Sequence, residues 1–322
     1  MKAIVCNNFG PIKDIQYKDV EDPKIENNSV IIDVKSIGVN FPDGLLVQGK
    51  YQLKPETPFT PGMEVAGQVI EIGSNVSQFK IGDRVVGQSQ LGGYAEKALV
   101  KESSVFNLPE KMSFDDSCAL LCAYGTSHYA LKQRGNLKKE ELLVVLGASG
   151  STGIAAIQIG KVMGAKVIGV ASTEEKQKIA KESGADITLG YDNLKEELKA
   201  ISDGKGVDVI FDPVGGDIFD TVARTMARYG RLLVIGFASG TIPKLAVNLA
   251  LVKEFSVVGV FWGAFSRSQP DDYAKNMIEL FEWHQKGLVK PLIEEHFNLS
   301  KAAIVLEKIL SRGAKGKVIL NP

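Results

Sequence analysis

The chain is poor in the residues from which metal centres and disulfide frameworks are built. Its 322 residues hold three cysteines (Cys6, Cys118, Cys122) and three histidines (His128, His284, His296). Three thiols are too few for a disulfide framework, so a reducing compartment, the cytosol, is the expected setting. The histidines show no ligand spacing with one another. Neither charge is in excess: Lys+Arg and Asp+Glu both number 38. That balance, with no basic stripe, offers nothing to nucleic acid or to an anionic membrane. No apolar run reaches the roughly 18 residues that a membrane span requires. Met1 leads straight into a strand-like segment, so no leader peptide is expected, and low-complexity tracts are absent. A soluble chain of 322 residues exceeds what one core usually fills, which predicts two domains.

Against this plain background one stretch stands out. An apolar run from Leu142 to Leu146 ends in a turn of small residues, and residues 154–163 then carry apolar side chains at helical spacing. A second apolar strand, 166–171, follows Met163, Gly164 and Ala165. Strand, tight turn, helix and strand make a βαβ unit of about 30 residues. The turn reads Ala148, Ser149, Gly150, Ser151, Thr152, Gly153, the A-x-G-x-x-G form of a dinucleotide-binding fingerprint. Ala148 and Gly150 leave room for the turn and for backbone to approach a pyrophosphate. Gly153 lets the helix pack close to the strand. The first N–H groups of the helix, with the positive end of its dipole, would face the anion. The competing reading is a tight βα turn without a ligand.

Residues 1 to about 118 read as β-rich, with strands expected at 2–7, 29–39, 64–72, 84–87 and 94–100 between turn signals. Helical spacing appears at 113–121, with Ser113 as N-cap and Asp115 and Asp116 in the first turn, and again at 126–134. Alternation follows: strands at 142–147, 166–171, 186–189, 207–212, 231–237 and 255–261, helices at 152–163, 174–183, 193–202, 217–228 and 244–252. This predicts an α/β fold with a doubly wound parallel sheet. A helix at 272–286, a strand at 293–297, a helix at 300–311 and a last strand at 317–320 are too short a tail for a domain. They are expected to return and complete the N-terminal β-rich unit.

Further matches cover nearly the whole chain: Gly38 to Asp43, Gly49 to Tyr51, Pro61 to Gly67, Gly82 to Val85, Gly92 to Glu96, Tyr124 to Thr126, Asp212 to Gly216, Gly236 to Ser239, Phe261 to Gly263 and Gly316 to Val318. With the fingerprint, they resemble the medium-chain dehydrogenase/reductase superfamily, and within it the zinc-free quinone oxidoreductase branch, the zeta-crystallin-like proteins. The resemblance implies a discontinuous GroES-like β-barrel catalytic domain (1–119 and 262–322) closed around a Rossmann domain (120–261), with the active site between them. It also implies cofactor contacts from Val214, Gly236, Phe237, Phe261, Trp262 and Lys317.

The end of the second strand bears on the choice of cofactor. NAD-binding units place a carboxylate there for the ribose 2′-OH, whereas this strand ends uncharged at Ser172 and Thr173. Ser172 and Tyr191 can donate hydrogen bonds and Lys176 brings positive charge. In the resembled family these three positions match a clamp for a 2′-phosphate. Glu174 and Glu175 lie close by, and Lys176 read alone also fits a solvated surface lysine. Together the three positions predict NADPH.

In the zinc members of the superfamily the metal ligands fall where this chain has Asn40, Met63 and, nearby, Cys122. Amide and neutral thioether do not replace thiolate and imidazole, and the short segment 86–93 lacks the four-cysteine structural zinc loop. Cys118 and Cys122, four apart on an expected helix, admit a two-thiol pair, but burial of small residues is the simpler reading. No metal is expected. Hydride would pass from NADPH to a quinone or an α,β-unsaturated carbonyl, a small-molecule substrate whose developing oxygen charge needs a donor. Asn40, Tyr51 and Thr126 are the candidate lining residues, Tyr51 as phenolic donor and Asn40 to orient substrate or carboxamide. Tyr51 equally fits a loop aromatic over a hydrophobic patch. Asp43, after Pro42, reads as a helix cap and Glu64 as a buried, paired carboxylate. Phe261, Trp262 and Phe265 suggest one apolar wall for a flat substrate. Leu45 stands where some relatives carry a second tyrosine. Reduction of enoyl thioesters, which would call for a basic cluster, and a catalytically weak NADPH-binding role are the alternatives. In the resembled branch the sixth strand of this sheet commonly pairs with its counterpart in a second subunit. Here that is the β-forming strand at 254–261, so the resemblance implies a homodimer, the alternative being an edge covered by the protein's own loops.

Overall fold

The computed structural model describes all 322 residues. The chain divides into two compact units: Met1–Cys122 with Pro270–Met277 and Leu292–Pro322, and Ala123–Gln269 with Ile278–Pro291. The expected limits at 119/120 and 261/262 differ from these in the C-terminal third. The helix Pro270–Gln285 is shared between the units. Its first half carries Tyr273, fully buried and edge-on to Phe106 of the first unit at 5.1 Å. Its second half carries Glu279, which pairs with His128 of the second unit at 2.7 Å.

The first unit is built on one sheet in the order Ile293–Asn298, Lys317–Asn321, Ser29–Gly38, Glu64–Ile72, Arg84–Gln88, Val105–Asn107, with Lys97–Lys101 also pairing with Ser29–Gly38. The C-terminal strand returns as expected: Ile319 and Leu320 lie opposite Gly38 and Ile37, antiparallel. Val30, Ile32 and Val34, two apart and so on one face, enter a core with Val65, Val69, Val85, Val318 and Leu320. Val305 and Leu306 of the helix Ala302–Leu310 close over it. A two-stranded hairpin, Lys2–Val5 with Gln16–Asp19, forms a second small sheet that is bridged to the unit at Ala3–Ala95 and Cys6–Phe59. Neither Gln16–Asp19 nor Val105–Asn107 was anticipated, because both are short and mix charged or amide side chains into the run.

The second unit has six parallel strands in the order Ile187–Leu189, Lys166–Val170, Leu142–Leu146, Val207–Asp212, Met226–Val234, Ser256–Gly259. The chain starts in the middle, runs out to one edge, returns and runs out to the other. The reversal lies between Leu142–Leu146 and Val207–Asp212, the topological switch point of a doubly wound sheet. Two expectations fail here. The helix expected at 217–228 stops at Ala223 (Ile218–Ala223), and the next strand begins at Met226 rather than 231. The Thr225 hydroxyl bonds back to the Val222 carbonyl at 2.7 Å, and Tyr229 takes a left-handed backbone with φ of 62°, which no helix continues. The strand expected to reach 261 ends at Gly259, and Trp262–Ser268 forms a helix.

Phe114–Arg134 forms a single helical stretch, not the two helices expected. Ser113 caps Phe114–Ala119, its hydroxyl accepting from the Asp116 N–H at 3.0 Å. Residues Leu120–Tyr124 and Tyr129–Arg134 then widen to π-type turns around the α-turn Gly125–His128.

Candidate active site

Two groups of candidate residues stand out, one in each unit. In the first unit, Asn40 sits in extended backbone (φ −125°, ψ 151°) at the start of the helix Phe41–Val47. Pro42 suits the first turn, where its missing N–H is not needed. The Asp43 carboxylate folds back, and its Oδ2 accepts from the Asn40 backbone N–H at 2.8 Å. Asp43 is therefore the cap that its place after Pro42 implied. It is fully buried, its Oδ2 also accepts from the Tyr94 hydroxyl at 2.9 Å, and its Oδ1 has no partner. Burial pushes Asp43 up to about 7, against the pull of those two hydrogen bonds. Burial, with Asp43 alongside, lifts the Tyr94 phenol well above its ordinary range.

Glu64 opens its strand and Lys317 opens the last one. The two form an ion pair inside the unit, 0 % and 2 % exposed. Lys317 Nζ also donates to Asn40 Oδ1 at 2.9 Å, and Asn40 Nδ2 donates to Glu64 Oε1 at 2.9 Å and to the Gly38 carbonyl at 3.3 Å. The other carboxylate oxygen of Glu64 accepts from the Cys122 backbone N–H at 2.9 Å. That donor lies in the widened turn Leu120–Tyr124, a local distortion that recurs at functional sites. A Cβ on Gly38 would lie 2.0 Å from Glu64 Oε1, so a larger residue there would displace the Glu64 carboxylate from its partners. Burial works against charge on Lys317, but the Glu64 carboxylate more than offsets it and raises the lysine above its ordinary value. Lys317, expected among the cofactor contacts, directs its ammonium to Glu64 and Asn40 in this structure, with one N–H left over. Tyr51 is half-buried and packs against the core of this unit.

Cys118 is buried, its thiol donates to the Ser36 carbonyl at 3.2 Å, and burial pushes it well above the usual thiol range. All three thiols are unbridged. His296 pairs with Asp115 at 2.9 Å. No three His, Cys, Asp or Glu side chains converge on a position that holds a metal ion.

In the second unit, Leu142–Leu146 runs into Gly147, whose φ of +59° makes the turn, and Gly150 caps the helix Ser151–Val162. A Cβ on Gly153 would lie 2.3 Å from the Gly147 carbonyl oxygen, so helix and turn approach as closely as the fingerprint requires. A Cβ on Gly150 would meet nothing closer than 3.5 Å, leaving space over the turn. Ala148 and Ser149 are buried, and Ser151, Thr152 and Gly153 supply the first helical turn. Its N–H groups have no partners within the helix and form a ready anion cradle.

The strand Lys166–Val170 ends beside this turn. Ser172 is exposed, and Thr173 caps the helix Glu174–Glu182 through a hydrogen bond from the Lys176 N–H at 3.3 Å. The Tyr191 hydroxyl accepts from the Gly147 N–H at 3.2 Å, which brings Tyr191 to the fingerprint itself. Val214 reaches the same turn: its methyl lies 3.2 Å from where a Cβ on Gly147 would be, and its N–H bonds Asp212 Oδ1 at 2.8 Å. Gly236 and Phe237 follow the next strand, and the Ala238 N–H ties that loop to the Pro213 carbonyl at 3.0 Å. Val214, Gly236 and Phe237 therefore gather at the carboxyl ends of the strands next to the switch point. Trp262 is buried against Gly125, the neighbour of Thr126, and Phe265 stacks on Tyr129 at 4.0 Å. Of the three rings expected to form an apolar wall, packing consumes two, and only Phe261 is exposed.

The sequence matches two families, the alcohol dehydrogenase GroES-like domain over residues 26–110 and zinc-binding dehydrogenase over residues 151–283. It is 38% identical to quinone oxidoreductase-like protein 2 homolog of Nematostella vectensis over 99% of this chain and 88% of that one. It is 34% identical to quinone oxidoreductase of Homo sapiens over 99% of this chain and 97% of that one. Among solved structures, Escherichia coli quinone oxidoreductase complexed with NADPH superposes with a TM-score of 0.93 at 28% identity, covering 100% of both chains.

Proposed function

The chain belongs to the quinone oxidoreductase branch of the medium-chain dehydrogenase/reductase superfamily, and on that footing we propose that it is an NADPH-dependent, zinc-independent reductase of quinones or α,β-unsaturated carbonyls. NADPH, when bound, supplies the hydride. The fingerprint turn fits its pyrophosphate: Gly153 gives the close helix approach, Gly150 leaves space, and the first helical N–H groups face the anion. Lys176 and Ser172, at the start of the following helix, would hold a 2′-phosphate, with Tyr191 fixing the turn beneath it.

The observation that carries the zinc-independent reading is the ion pair of Glu64 and Lys317. A fixed ammonium already neutralises Glu64 and holds the amide of Asn40. A dication at the same place would meet a positive charge and an amide, not thiolates and imidazole. A conjugated acceptor suits such a site, because it spreads the incoming charge and needs only a modest hydrogen-bond donor. Tyr51 is the proposed donor, and Tyr51→Phe is expected to lower turnover with NADPH affinity unchanged.

The test is NADPH oxidation against a panel of small quinones, enones and enoyl thioesters, with chelator and with added zinc. Turnover of quinones or enones that chelator leaves intact supports the reading. Binding of NADPH without turnover of any acceptor, or activity that zinc alone restores, refutes it.

A further inference from the structure

The side chain of Asn40 is almost fully spent. A primary amide has two N–H donors and two acceptor lone pairs. Here the donors go to Glu64 Oε1 at 2.9 Å and the Gly38 carbonyl at 3.3 Å, and one lone pair goes to Lys317 Nζ at 2.9 Å. The charged neighbours decide the orientation of the amide. Flipped, it would set its NH2 against an ammonium and its oxygen against a carboxylate. One acceptor lone pair on Oδ1 is all that is left.

The frame around the amide is equally constrained. Residues 40, 64 and 317 come from three separate elements, and the Cys122 N–H in the widened turn fixes the far oxygen of Glu64 at 2.9 Å. Stability alone is a poor reason for this arrangement, since well-packed apolar residues often replace a buried ion pair without loss.

We infer that Lys317 and Glu64 are positioning residues that hold Asn40 as a one-way hydrogen-bond acceptor, so that position 40 takes an N–H or O–H donor of the ligand and cannot itself donate to a developing oxyanion. The inference rests on the reading of Asn40 as a lining residue of an NADPH-dependent reductase. Two ligand groups offer such a donor: the carboxamide of the nicotinamide, and the hydroxyl forming on a reduced acceptor.

The experiment uses the double variant Lys317→Met/Glu64→Leu, which removes both charges and leaves neither buried alone. NADPH affinity is titrated without acceptor, and kcat is measured with a small quinone. A fall of about tenfold or more in either supports the inference. A fall in affinity assigns the donor to the cofactor carboxamide; a fall in kcat at unchanged affinity assigns it to the acceptor. Both quantities within about twofold of wild type in the folded double variant overturn it.

A second arm needs neither the variant nor turnover. Hydrogen exchange of the Asn40 side-chain amide is followed by NMR in the wild type, with the signal assigned by its loss in Asn40→Ala. Protected Nδ2 protons support the clamp, and fast exchange overturns it. A wild type that reduces no acceptor sinks the reductase reading, while the affinity and exchange arms still decide the role of the pair.

Discussion

Lys317 closes an ion pair with Glu64 across 253 residues of sequence, inside the first unit and shut off from water. The pair joins the C-terminal strand to the centre of the N-terminal sheet, so it ties together the two ends of a discontinuous unit. Removing one partner alone leaves a bare buried charge. Lys317→Met should cost about 3–5 kcal/mol of unfolding free energy. Lys317→Met/Glu64→Leu should cost far less. Denaturant titration of the two variants checks this, and a single variant as stable as the double would contradict it.

Asp43 sets a pH dependence of stability. Its folded value of about 7 lies above the ordinary 3.8, so the folded state holds this proton more tightly than the unfolded chain does. The contribution is fully present below about pH 4, is lost as pH rises through the folded value of about 7, and levels off about a unit above it. From pH 5 to 8 the loss is about 3 kcal/mol. His128 works the other way: burial lowers it, so its contribution is present above 6.5 and lost as pH falls. The difference between wild type and Asp43→Asn isolates Asp43. That difference should shrink in the variant's favour from pH 5 to 8 in urea titrations. A constant gap would contradict the assignment.

How much of this was legible beforehand depended on range. The fingerprint showed because its strand, turn and helix are contiguous and each small residue has a local reason. Asp43 showed as a cap because Pro42 precedes it. The partner of Glu64 did not show, since it lies in the last strand. A signal was there: Lys317 heads Val318, Ile319 and Leu320, all fully buried, and a lysine leading such a run needs a buried anion. The widened turns at Leu120–Tyr124 and Tyr129–Arg134 follow from tertiary packing and leave no periodic mark. The aromatic pattern at 261–265 misled for a similar reason, because spacing does not distinguish a ring that packs on Tyr129 from one that faces solvent.

Cofactor preference should follow the residues after the second strand. NADPH is expected to bind about tenfold or more tightly than NADH. Lys176→Ala should weaken NADPH and leave NADH nearly unchanged. Tyr191→Phe should weaken both, because its hydroxyl accepts from the Gly147 N–H in the shared turn. Fluorescence titration of each variant with each cofactor measures this. Equal wild-type affinities for NADPH and NADH would remove the 2′-phosphate clamp.

Assembly should follow the free edge of the parallel sheet. Ser256–Gly259 is the last strand, and Leu251 and Val252 on the adjoining helix Val247–Lys253 are each 78% exposed. Exposed ladder groups beside apolar side chains favour two-fold pairing with a second copy. Sedimentation at micromolar concentration should give about twice the chain mass of 34.8 kDa. Val258→Pro, which takes an N–H from that strand, should shift the mass toward monomer. A monomeric wild type would refute the pairing.

Hydride delivery to a conjugated acceptor without a metal is tested most directly by isotopic tracing. The protein is given NADPH deuterated at the transferable position, together with an α,β-unsaturated ketone and chelator, and the product is read by NMR. Deuterium at the β-carbon, with the carbonyl retained, is the expected result. Deuterium at the carbonyl carbon, giving an allylic alcohol, would contradict the account.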